Sequence, residues 1–67
     1  MDEKIRQLII DLNREMATAK SSFEKVFTSE KALNGVVEYN KAIEALARAK
    51  SITTELFRIA DEQEVPA

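Results

Sequence analysis

Apolar residues recur along the first part of the chain in steps of four and three: Ile5, Ile9, Leu12, Met16, Ala19, Phe23 and Val26. That spacing sets them on one stripe of an α-helix, the seam of a coiled-coil-like packing. Leu8 and Phe27 widen the stripe. Asp2 and Glu3 fall in the first turn, where the positive end of the helix dipole favours carboxylates. The pattern predicts a helix from Asp2 to Val26. Ile10 and Ala17 lie on the opposite, otherwise polar face, which makes Ile10 a candidate partner surface.

The second part is also helical in pattern, but its stripe wanders. Val36, Tyr39, Ile43 and Leu46 hold one face. After Ala49 the apolar positions Ile52, Leu56 and Ile59 have rotated round, and Phe57 and Ala60 broaden the arc. The drift exceeds the roughly 20° per heptad that a supercoil absorbs, so this half is expected to be buried against more than one neighbour. Ala42, Ala45, Ala47 and Ala49 add helix propensity and thin side chains that allow close approach. Glu44 and Arg48 form a favourable i,i+4 pair. Asp61, Glu62 and Glu64 lead into an acidic, frayed tail over 61–67.

Two places offer a turn. Thr28 or Ser29 can cap a second helix that opens at Glu30, or the chain can break at Asn34-Gly35, its one glycine. The Asn-Gly turn gives nearly equal arms but sets Glu30 on the centre of the first stripe. The Thr-Ser turn leaves Gly35 inside a helix, at about 1 kcal/mol relative to Ala. The balance leans to Thr28-Ser29, with a kink at Gly35 allowed. Either gives an all-α antiparallel helical hairpin. With the Thr-Ser turn, the end of the second arm is expected to project beyond the start of the first, with no partner in its own chain.

Composition changes the picture mainly by exclusion. The chain has 67 residues, no Cys, no His, one Gly and one Pro. Thiolate and imidazole chemistry, disulfides and Gly-rich phosphate loops are therefore ruled out, and no catalytic residue, cofactor or metal is assigned. Asp11 and Glu15 stand four apart on one helix face, but the plain reading is a pair of solvated carboxylates. Net charge is −2, and Lys20, Lys25 and Lys31 are interleaved with Glu24 and Glu30. That balance argues against nucleic acid as a partner. No apolar run is long enough for a membrane span and no signal-peptide pattern appears, so the expectation is a cytoplasmic protein.

So short a chain is marginal alone and, without disulfides or metal, is expected to stabilise itself by oligomerisation. The best reading is a non-enzymatic interaction protein. It would self-associate into a four-helix bundle (a homodimer first, or a higher helical oligomer) and bind another protein as a regulator, adaptor or inhibitor. Phe23 and Leu46 are expected in the core. Ile52, Leu56, Phe57 and Ile59 are the expected oligomer interface. One alternative is an oligomer that sequesters a phosphate-containing small ligand such as a nucleotide at the turn, using Lys25, Thr28, Ser29 and Lys31. The plain reading of those four is an ordinary cap with solvated lysines. A nucleic-acid-associated regulator is the other alternative.

Overall fold

The computed structural model describes residues 2–63. Helix α1 runs over Glu3–Thr28 and helix α2 over Ala32–Gln63. They pack antiparallel as one hairpin, 58 Å long and 15 Å across. Asp2 caps α1: its Oδ1 accepts from the Lys4 N–H at 2.7 Å, and its carbonyl accepts from the Arg6 N–H at 3.0 Å. These bonds satisfy donors that a helix start otherwise leaves unpaired.

The chain turns where the balance of costs placed it, at Ser29-Glu30-Lys31. The capping expectation needs correction, however. Thr28 and Ser29 do not open the second helix, which begins at Ala32. Thr28 closes α1, and both hydroxyls donate back to the Lys25 carbonyl, at 3.3 and 2.7 Å. They satisfy a helix C-terminus instead of an N-terminus. Helix α2 continues unbroken through Gly35, whose N–H donates to the Lys31 carbonyl at 3.1 Å.

The seam between the arms is built from small side chains. On α2 the buried residues are Gly35, Ala42, Ala45, Ala49 and Ile59, with Ala42 and Ala45 at 0% exposure. On α1 they are Ala19 and Ser22. Half-buried Leu8, Leu12, Glu15 and Val26 continue the α1 row, and Glu38, Ile52 and Leu56 continue that of α2. Both rows repeat in alternating steps of three and four, the period of an antiparallel coiled-coil seam. The contact is close to backbone on backbone near the turn: a Cβ placed on Gly35 would stand 3.5 Å from the Val26 carbonyl oxygen.

This seam revises the second-arm stripe. Val36, Tyr39 and Ile43 are exposed, because the buried row lies one position earlier along the helix. Phe23 and Leu46 are half-buried rather than enclosed. The apparent drift was two parallel rows, a narrow inner one and a bulky outer one. Nor does α2 overhang unpartnered. Ile59 is buried in its own chain, and Gln63 Nε2 donates to Asp2 Oδ2 at 2.6 Å, so the far end of α2 lies beside the start of α1. Asp61 to Gln63 are helical, and the rest of the expected acidic tail lies outside the described residues.

Seam tightness is directly testable. The Gly35→Ala methyl would meet its neighbours at ordinary contact distance. That variant should gain about 0.5–1 kcal/mol in urea unfolding, whereas Ala45→Leu should lose about 1–3 kcal/mol by forcing the helices apart. A destabilised Gly35→Ala would mean the arms approach too closely for even a methyl. The cap makes a second prediction. The Lys4 N–H first and the Gln63 side chain second hold the Asp2 carboxyl below its ordinary pKa. Its contribution to stability is therefore complete above about pH 5 and is lost as pH falls below about 3.9, through the folded value. Asp2→Asn can keep the Lys4 bond through its one oxygen, and the Gln63 bond only if the Gln63 amide turns over to accept. Because Asn does not titrate, its acid melting curve should be flatter than that of the wild type. Identical acid curves would show that the cap does not carry this dependence.

Candidate interaction face

Small seam residues force the large apolar side chains out of the space between the helices. They collect on one side of the hairpin. Near the turn, Phe23 meets Tyr39 edge-on, with ring centroids 5.6 Å apart and planes at 69°. Next comes a groove walled by Met16, Ala19, Phe23 and Phe27 of α1 and Leu46 of α2, with Lys20 and Glu24 at its α1 side. Toward the open end a second groove is lined by Ile5, Ile9, Leu56, Phe57, Ala60 and Thr53. The Thr53 hydroxyl donates to the Ala49 carbonyl at 3.0 Å, which leaves its methyl as the contact surface. Both grooves draw walls from both helices and open on the same side, with Asn13 and Lys50 between them.

This face is strongly exposed. Phe27 is 87% accessible, Phe57 74%, Val36 64% and Tyr39 51%. Lone exposed apolar residues are ordinary, but several large ones gathered on one side make this face a candidate interaction surface. Asn13, Lys20 and Lys50 fall along its outer edges.

The other side carries the charge pairs. Arg48 Nε reaches Glu15 across the helices at 2.5 Å. Arg58 pairs with Glu55 and with Glu62, Lys41 with Glu38 at 3.4 Å, and Arg14 with Asp11 at 3.8 Å. The hydrogen bond to Arg58 holds the Glu55 carboxyl below its ordinary value, and the bond to Glu15 raises the Arg48 guanidinium. Exposed pairs of this kind contribute little each. Their effect is to make this side predominantly polar, with Val37 its exposed apolar exception. Asp11 and Glu15 do not converge: Asp11 accepts from Gln7 at 3.1 Å and lies near Arg14, while Glu15 takes Arg48. Among the described residues no group of three or more His, Cys, Asp or Glu could hold a metal ion. No helix there is long and apolar enough to cross a membrane.

The sequence-derived sites divide accordingly. Of the expected oligomer interface, Phe57 stands on the exposed face. Ile52, Leu56 and Ile59 line the seam of their own chain, although Leu56 also walls the second groove. Around the turn, Ser29 and Lys31 line a shallow groove with Val36 and Tyr39, while Lys25 and Thr28 are not among its walls. Ile10 is 42% exposed. The pattern alone missed Met16, Phe23, Tyr39, Ile43 and Leu46 as face residues. The available signal was the row of Gly35, Ala42, Ala45 and Ala49 at coiled-coil spacing, which reserves the seam for small side chains. No protein-family model, no curated protein and no solved structure matches this chain.

Proposed function

We propose that this chain is a non-enzymatic helical interaction protein that works as a homodimer and binds another protein as a regulator, adaptor or inhibitor. One observation carries the reading. Among the described residues the hairpin encloses no large side chain fully, yet it displays large apolar residues along one side. Ordering each residue costs roughly 1–2 kcal/mol of backbone entropy. The seam returns only part of that, because its buried residues are mostly Ala and Gly and its Leu, Val and Ile, apart from Ile59, are only half-buried, and burial is worth about 0.8 kcal/mol per methylene. Covering the bulky face supplies the missing term. The hairpin itself is 58 by 15 Å, so covering its apolar side would bury an area on the scale of the roughly 800 Å² per partner of a standard stable interface. A second copy brings the same apolar surface, which is the self-complementarity that two-fold dimers use.

With that face occupied, the outer side of α1 around Ile10 and Ala17 remains open to a different protein. Two surfaces therefore have two roles, and substitution separates them. Sedimentation equilibrium at micromolar concentration should give twice the chain mass for the wild type. Ile43→Asp and Phe57→Asp should shift it to one chain with reduced helicity, while Ile10→Asp keeps the dimer. A stable, cooperatively folded wild-type monomer, or a dimer unaffected by Ile43→Asp, would overturn the reading.

A further inference from the structure

Self-association through the apolar face leaves open how the second copy lies on it: with the turns together, or with the turn of one copy over the open end of the other. We propose the inverted arrangement, with a two-fold axis crossing the hairpin at Met16 and Leu46, so that α1 lies on α1 and α2 on α2. This inference rests on the dimer reading above.

Side-chain volume is the first argument. From turn to open end, the inner rows of the face hold Phe23 with Tyr39, then Met16 with Leu46, then Ile9 with Thr53. Stacking turn on turn would put four aromatic rings in one layer and two Ile with two Thr in another. Well-packed interiors keep uniform density, so such a bundle would have to splay at one end. The inverted stack gives each end layer one Phe, one Tyr, one Ile and one Thr. Its middle layer holds Met16 and Leu46 from both copies. All layers are then similar in volume and the helices stay evenly spaced.

Position and charge agree with this. Met16 and Leu46 lie near the middle of Glu3–Thr28 and Ala32–Gln63, so an axis there overlaps the two faces along their length. On the outer edge of α1, Arg6 stands near the open end and Glu24 near the turn. Laying α1 inverted on α1 brings each Arg6 to the level of Glu24 of the second copy. With the turns together, Glu24 would instead face Val36 and Asn40 of the second copy.

The chain has no cysteine, so Lys31→Cys in the exposed turn gives a unique spin-label site. Pulsed dipolar spectroscopy on the labelled dimer should show a separation of about 45 Å, from the 1.5 Å rise per residue on either side of the axis. Asp61→Cys at the open end should give a similar distance. A separation of about 20 Å, two helix diameters, would overturn the inverted arrangement while leaving the dimer intact. A labelled chain of monomer mass with no dipolar signal would overturn the dimer reading itself.

Discussion

Everything in this molecule follows from how closely its two helices approach. Gly35, Ala42, Ala45 and Ala49 leave α2 almost without side-chain bulk along its inner row, and Ala19 and Ser22 match them on α1. The backbones can then approach closely: a Cβ on Gly35 would already be in ordinary contact with the Val26 carbonyl oxygen. Such a seam fixes register well, because a residue much larger than alanine in it forces the helices apart. It gives little hydrophobic stabilisation, because small residues remove little apolar surface from water.

The narrow seam also sorts the remaining side chains. Residues one position later on each helix point to the same side of the antiparallel pair, and there most are large and apolar, with polar Asn13, Lys20 and Lys50 also on that side. On the opposite side they are charged and paired, from Arg14 and Asp11 through Arg48 and Glu15 to Arg58 with Glu55 and Glu62. The hairpin is amphipathic in cross-section as well as along each helix. On the proposed reading, this division is what makes one hairpin half of a four-helix bundle and leaves the flank of α1 near Ile10 for another protein.

Much of this was legible in the residues. The seven-residue pattern from Ile5 to Val26 gave α1 within two residues at its C-terminal end, and weighing Glu30 against Gly35 placed the turn. The second arm was harder to read. Its alanines were recognised as thin, but hydrophobicity ranks Val36, Tyr39 and Ile43 above Ala42 and Ala45, so the bulky row was taken for the inner one. Volume, not hydrophobicity, decides which row goes inside when two rows compete for a narrow gap. The same substitution of criteria made Ile52, Leu56 and Ile59 look surplus to the chain. They are its widest seam residues, set where α2 passes Leu8 and Leu12.

The account's central claim is that the hairpin's own seam is too weak to hold the fold and that a second copy must cover the apolar face. Thermal unfolding followed by circular dichroism over a wide range of protein concentration tests this most directly. Because dimerisation stabilises the folded state by mass action, the midpoint should rise steadily with concentration, and helicity should fall toward the dilute end. A sharp, cooperative melt with the same midpoint at every concentration would contradict it, for it would show that the Ala and Gly seam is sufficient by itself.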